Sequence, residues 1–275
     1  MMLEVFGFNA FFTLAIATAI SGTLIAGLWD LLTTEIPDEI PYFMASFGIF
    51  LWFIYMLTTG STLEFLSSVF IGSIFLIYGY VLYKTGHWGG GDGALLASLG
   101  FLLPILKTIE FFPLHLFINL YLFGAAWIVI YSLVAGLANS KFRKIIKKEM
   151  LKDQMTRTYF LFFIVFLFLS VIDKNMLFAS LLFALLIFYY YGKLIEKYVF
   201  RKRIPSSQLK VGDVLADSKL WVGIGEDEVK EIKEKKKFVE IKEGVRFGLA
   251  FFLALIFTLI FGGSPIVNFY LSILF

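Results

Sequence analysis

Two aspartates stand where ionisable side chains are costly to hold. Asp30 closes a long apolar run in AGLWDLLTTEIPDEIP, with Leu31 and Leu32 directly after it, and Asp92 opens another in GHWGGGDGALLASLG. A carboxyl at the edge of hydrocarbon is a functional candidate by default. Two at one depth suggest aspartic-protease chemistry. One, ionised, removes a proton from a water; the other, kept protonated, polarises the scissile carbonyl. Carboxyls held close together in a low dielectric titrate apart, which permits this division of labour near neutral pH. Such a site uses no metal and no organic cofactor. Gly89, Gly90, Gly91 and Gly93 flank Asp92. Lacking Cβ atoms, they let the backbone approach an extended substrate and are expected to adopt φ > 0 beside the aspartate.

Each of these residues also has a plainer reading. An Asp at a helix start is more often a cap on free backbone amides than a catalyst, and Asp30 alone is as often an interfacial residue. Glu35, Asp38 and Glu39 read as solvated loop acids, with Ile36-Pro37 an ordinary turn between them, and His87 reads as a wet-loop residue. Trp29, Trp52 and Trp88 fit interfacial anchors. Glycine runs at helix starts also cradle phosphates, but no Lys-Ser or Lys-Thr follows this one. The pair of aspartates is more specific than either member.

The elements that must position the pair follow from composition. Of 275 residues, 59% are hydrophobic and only 16% charged, where a soluble domain carries about a quarter charged. Runs such as 113–137 and 156–172 contain almost no ionisable side chain, and about 20 apolar residues suffice to cross a bilayer. Apolar segments fall at about 8–29, 40–58, 64–83, 94–106, 113–137, 156–172, 176–195 and 246–272. MMLEVFGFNAFF lacks a basic n-region and a cleavage site, so the first segment is expected to be a retained span. With the N-terminus outside and one crossing per segment, 22 of the 24 Lys and Arg fall on the cytoplasmic side, the exceptions being Lys107 and Lys174. This is the bias that membrane insertion imposes. Both aspartates then lie at cytoplasmic helix ends, a placement decided by cations alone.

The fourth segment is short, and Gly262-Gly263-Ser264-Pro265 interrupts the last. Between 205 and 245 the chain could fold in water: KVGDVL (210–215) reads as a strand entered by a turn, KKFVEIK (236–242) alternates like another, and EDEVKEIKEKKK between them suits a solvated helix or loop. The expectation is an all-α polytopic membrane protein of about 6–8 transmembrane helices with a small β-containing cytoplasmic module. Its parts are a helical core (1–200), the module (201–245) and a C-terminal transmembrane segment (246–275). Absence of cysteine excludes disulfides, thiolate metal sites and cysteine catalysis, and two histidines are too few for a histidine-rich metal site. Nothing resembles a nucleic-acid-binding stripe.

GGGD at 89–92 resembles the Gly-x-Gly-Asp motif of the membrane aspartyl proteases, and Asp30 followed by Ile36-Pro37 and an acid resembles the first-aspartate motif of the prepilin peptidases. The archaeal branch, which includes the preflagellin peptidases, typically continues Gly-Asp-Gly-Lys-Leu; here Ala94 takes the place of the lysine, so no substrate contact from that side chain is expected. The likeness is strong over roughly 20–105 and looser over KVGDVLAD and VEIKEGVRFGLAFFLAL, which look like the cytoplasmic insertion and last span of archaeal members. The zinc-binding loop of bacterial relatives is missing. The resemblance implies an endopeptidase in the plasma membrane with Asp30 and Asp92 catalytic. Its partners would be pilin or archaellin precursors, whose class III signal peptide is cleaved at the cytoplasmic boundary. Gly89, Gly90, Gly91 and Gly93 would shape the loop beneath the substrate.

Two rival readings come from the same residues. A proton- or cation-coupled transporter would use the acids as ligands, but the span interiors are nearly free of charge apart from Glu64 and His115 near span starts. A presenilin-like or signal-peptide-peptidase-like protease typically carries Tyr-Asp at the first aspartate, where this chain has Trp29-Asp30. No glycine-rich cofactor motif or added domain suggests a methyltransferase activity.

Overall fold

The computed structural model describes residues 10–218 and 223–265. In chain order the helices are α1 (Ala10–Thr33), α2 (Glu39–Thr59), α3 (Leu63–Lys84), α4 (Gly90–Leu102), α5 (Phe112–Ala138), α6 (Ser140–Lys152), α7 (Gln154–Leu169), α8 (Met176–Ile195), α9 (Glu226–Lys235) and α10 (Gly248–Phe261), with strands β1 (Arg201–Pro205), β2 (Val214–Leu215) and β3 (Phe238–Lys242). Each of the apolar segments read from the sequence holds a helix among the described residues. Helices satisfy every backbone polar group internally, which hydrocarbon demands. Five of them, α1, α2, α3, α5 and α8 with its continuation to Phe200, are long and apolar enough to cross a membrane; α4, α7 and α10 are apolar but shorter. The protein is an all-α polytopic membrane protein carrying a small sheet.

The chain divides into two compact units. The first comprises residues up to 128 and from 246 onward, together with 218–222; the second comprises 129–217 and 223–245.

In the first unit, α4 is the central helix. Leu95, Leu96, Leu99 and Leu102 are fully buried, and so is Ser98. A helix of 13 residues is about 20 Å long at 1.5 Å per residue, too short to span. It ends ahead of Pro104, whose ring disfavours helical geometry in the residue before it. The carbonyls freed by that stop have partners: the Ser68 hydroxyl donates to Phe101 O at 2.5 Å and the Trp52 indole donates to Leu102 O at 3.0 Å. Trp52 is therefore a fully buried core residue against Phe12 and Tyr55, not the interfacial anchor expected of it. Trp29, half exposed, keeps that reading. Helices α3 and α4 approach through glycines: a Cβ on Gly79 would lie 2.7 Å from the Gly93 Cα, and one on Gly100 3.0 Å from the Gly72 Cα. Small residues at helix crossings serve packing in lipid, where no hydrophobic force drives helices together.

The last apolar segment is broken where the sequence suggested. Helix α10 ends at Gly262 (φ +68°), Gly263 follows at φ +127°, and the Ser264 N–H donates to His115 Nδ1 at 2.7 Å. Residues 266–275, the remainder of the expected span, lie outside the described residues.

In the second unit, α7 and α8 form a hairpin across Asp173-Lys174-Asn175, with Phe162 and Phe166 stacked on Phe183. The basic separator 138–155 holds α6. The sheet is antiparallel in the order β1-β3-β2, pairing Arg201 with Lys242 and Leu215 with Ile241. Of KVGDVL only Val214 and Leu215 are strand; Gly212 at φ +94° and the Asp213 carboxylate, which accepts from the Lys210 N–H at 2.7 Å, spend the rest on a turn. EDEVKEIKEK is a helix, placing Val229 in a small core with Leu209, Ile224, Val239 and Ile241. Strand β1, RKRIP, was not anticipated: three cations and a proline carry no strand pattern, and it pairs because β3 lies alongside.

Candidate functional site

Asp30 sits in the last turn of α1 and is buried. Its environment comes from the start of α10. The Gly248 N–H donates to Asp30 Oδ2 at 2.7 Å. This is possible because α1 and α10 touch through glycine: a Cβ on Gly27 would lie 2.8 Å from the Leu249 Cα. Two residues earlier, Arg246 donates from its guanidinium to the Leu31 carbonyl, one of the unpaired carbonyls at the end of α1. Its positive charge acts on the Asp30 carboxylate. The Arg246 carbonyl in turn accepts from the Trp127 indole at 2.6 Å.

Asp92 is the third residue of α4, and its Oδ2 accepts from the Gly89 N–H at 3.2 Å. The plain capping role is thus realised. It does not exhaust the residue, because the charge on Asp30 acts on Asp92 as well. The first and fourth helices thus bring the two carboxyls within reach of each other's charge.

The motif glycines divide. Gly91 packs against the first-aspartate loop, where a Cβ would lie 2.9 Å from the Ile36 Cβ, and Gly93 is the contact with Gly79. Ile36 is therefore more than part of a loop turn: it seats one aspartate's loop on the other's. Gly89 and Gly90 are exposed at the mouth of the loop. None of the four has a positive φ, contrary to expectation; in this loop only Gly86 does, at +73°. The reason is that Gly90, Gly91 and Gly93 already belong to the first turn of α4, so their lack of Cβ serves close approach and not left-handed backbone.

Immediately before the glycines, Trp88 is held in an aromatic cluster, its ring centroid 6.3 Å from Tyr78 and Tyr121, 5.9 Å from Phe247 and 5.8 Å from Phe251. Trp88 accordingly anchors the GGGD loop to α10 and α5. The tripeptide Arg246-Phe247-Gly248 thus supports both aspartates, the outer residues at Asp30 and the middle one beneath the loop of Asp92. Sequence reasoning missed it. The available signal was an arginine and a glycine at the edge of the last apolar run, which is a weak one.

Glu35, Asp38 and Glu39 are exposed as read, although Glu39 opens α2 and does not lie in the loop, and His87 is exposed with its ring against the Thr85 hydroxyl at 2.9 Å. Glu64, buried, accepts from the Ser61 hydroxyl at 2.5 Å with Lys107 3.8 Å away. Among the described residues no three His, Cys, Asp or Glu side chains converge as metal ligands.

Residues 17–136, a stretch holding both aspartates and the glycine loop, match the type IV leader peptidase family. These residues are less than half of the chain, and the likeness to that family extends over them alone. Among similar proteins are the preflagellin peptidase of Methanococcus voltae, 32% identical over 120 residues covering 38% of this chain and 51% of the relative, and that of Methanococcus maripaludis, 34% identical over 113 residues covering 36% and 48%. The match thus spans about half the length of each relative. No solved structure matches. The matched stretch runs from within α1 to residue 136 in the last turn of α5 and stops well short of Arg246.

Proposed function

We propose that this chain is a membrane aspartyl endopeptidase that removes the short leader peptide from type IV prepilin-like precursors, pilins or archaellins, at the cytoplasmic boundary of the plasma membrane. Residues 1–200 and 246–275 form its membrane part, and 201–245 a cytoplasmic module. The observation that carries the reading is the meeting of Asp30 and Asp92 from separate helices, within reach of each other's charge, inside a stretch of leader peptidase sequence. The names of the two relatives support the substrate class, and the cation bias supports the side of the membrane.

In this reading the two carboxyls share one proton. The ionised member takes a proton from a water as that water attacks the scissile carbonyl, and the protonated member donates to the carbonyl oxygen. Collapse of the tetrahedral carbon expels the amine, which recovers a proton from the pair. The Gly248 N–H fixes which way the Asp30 carboxylate faces, and the exposed Gly89 and Gly90 leave room for an extended chain beside Asp92.

The test is cleavage of a panel of precursors bearing class III signal peptides by membranes containing the wild-type, Asp30→Asn or Asp92→Asn protein. Processing by the wild type, and its loss in both variants at unchanged membrane levels, is the expected result. Full activity in either variant, or failure of the wild type on every precursor, would sink the reading.

A further inference from the structure

Helix α6 (Ser140–Lys152, SKFRKIIKKEMLK) stands apart from every other helix attached to the apolar segments. It carries Lys141, Arg143, Lys144, Lys147, Lys148 and Lys152 against one acid, Glu149, leaving a formal charge of +5 (six cations less one acid). At about 100° per residue its cations occupy roughly half of the helix circumference, and Phe142, Ile145, Ile146 and Met150 fill the other half. The apolar half is packed: Phe142 and Met150 are buried with Leu194 and Ile195 of α8. The cationic half is open, since all six cations are exposed. Among the described residues no carboxylate pairs with any of them, while Glu149 is half-buried and faces the Tyr198 hydroxyl at 3.3 Å.

Connectivity limits what can meet that face. A single residue, Asn139, separates α6 from α5, and a single residue, Asp153, separates it from α7. Both junctions are stapled. The Asn139 side chain accepts from the Phe142 N–H at 3.0 Å, the Arg143 guanidinium donates to Leu137 O at 2.6 Å, and Asp153 accepts from the Thr156 N–H and hydroxyl at 2.7 and 2.8 Å. These bonds hold the Asp153 carboxyl below its ordinary range. No slack remains for the helix to swing away from the ends of its apolar neighbours. Leu151, 48% exposed, projects from among the cations, a residue that water penalises and the acyl boundary accepts.

From this arrangement we infer that α6 lies in the headgroup layer and binds the phosphates of anionic lipids, with Lys144, Lys147 and Lys148 as the principal contacts. Cationic faces on interfacial helices draw anionic lipid in this way, and the attraction weakens with salt. The inference rests on the membrane architecture and not on the protease reading. It also distinguishes α6 from α9, where mixed charge and pairs such as Lys235–Glu231 at 2.6 Å leave no single-sign face.

The full chain, released from bilayers of equal phosphatidylglycerol and phosphatidylcholine, is examined by native mass spectrometry for retained lipid. The wild type is expected to hold an excess of phosphatidylglycerol of about fivefold or more at low salt, and Lys144→Gln/Lys147→Gln/Lys148→Gln to fall to near parity. Absence of preference in the wild type overturns the inference, and so does an undiminished preference in the triple variant, which would place lipid on other cations. Because the chain has no cysteine, Leu151→Cys offers a unique spin-label site. A label at headgroup depth supports the inference. One in bulk water, or protected only when an acidic polypeptide is added, overturns it.

Discussion

At Asp30 the decisive neighbour is an atom that cannot be seen by scanning for ionisable residues, the backbone nitrogen of Gly248. A side chain there would be tight against Asp30 and Gly27. Its Cβ would lie 3.0 Å from the Asp30 Cβ, 3.2 Å from Oδ2 and 3.2 Å from the Gly27 Cα. Gly248→Ala should therefore press on the Asp30 carboxyl and shift it by a few tenths of an ångström, a fraction of the roughly 1 Å misplacement that costs about a hundredfold in rate. We expect precursor cleavage to fall by about tenfold while the protein still reaches the membrane. Gly192→Ala, in α8 with nothing within 4 Å of the new Cβ, is the control and should cleave normally. Equal activity in the two variants would remove Gly248 from the site. Both aspartates were legible because an acid beside hydrocarbon is conspicuous. Gly248 and Arg246 were not, since their partners Asp30 and Leu31 lie more than 200 residues away and glycine advertises no chemistry. The left-handed backbone expected at Gly89 to Gly93 failed for a related reason: glycine permits both close approach and positive φ, and its presence does not say which one the fold uses.

Helix α4 shows what it takes to hold a short helix at membrane depth. Its apolar length was visible as 94–106, but its limits were not. Glycine is a poor helix former, so the start at Gly90 is hidden in the motif, and the stop depends on Pro104 together with partners from α2 and α3. An unpaired buried carbonyl costs about 1–3 kcal/mol. Trp52→Phe keeps most of the ring contact with Phe12 and Tyr55 but strips Leu102 O of its donor, so it should lower the melting temperature measurably. Ser68→Ala, which strips Phe101 O, should do the same. The carbonyls are adjacent, so the double variant is expected to depart from the sum of the two, as neighbouring sites commonly do. Strict additivity would mean that the two donors act on independent features. The strands tell the opposite story from α4: β3 was readable from its alternation, whereas β1 exists because β3 offers it an edge.

At the scale of the whole molecule, the recognisable family stretch is not the whole of the site. Residues 17–136 contain both carboxyls, yet the N–H on Asp30 and the aromatic floor under Trp88 come from Arg246, Phe247 and Gly248, at the far end of the chain. Hydropathy could lay out most of the spans, but it does not say which span returns to lie beside the first. A chain ended after residue 200 would keep the family stretch, the aspartates and the glycine loop, and it should be inactive even where it inserts. Loss of activity in that chain alone could reflect misfolding, so the informative form is a split. Cutting between residues 217 and 223 leaves all of α1 through β2 on one fragment and α9 to α10 on the other. Co-expression of the two should restore cleavage, because α1 and α10 meet through Gly27 and Gly248 and need no covalent link to do so. Carrying Gly248→Ala on the second fragment should weaken the rescue by the same factor as in the uncut chain while the fragments still co-purify. Activity of the truncated chain by itself would show that the last helix is dispensable to the aspartate pair.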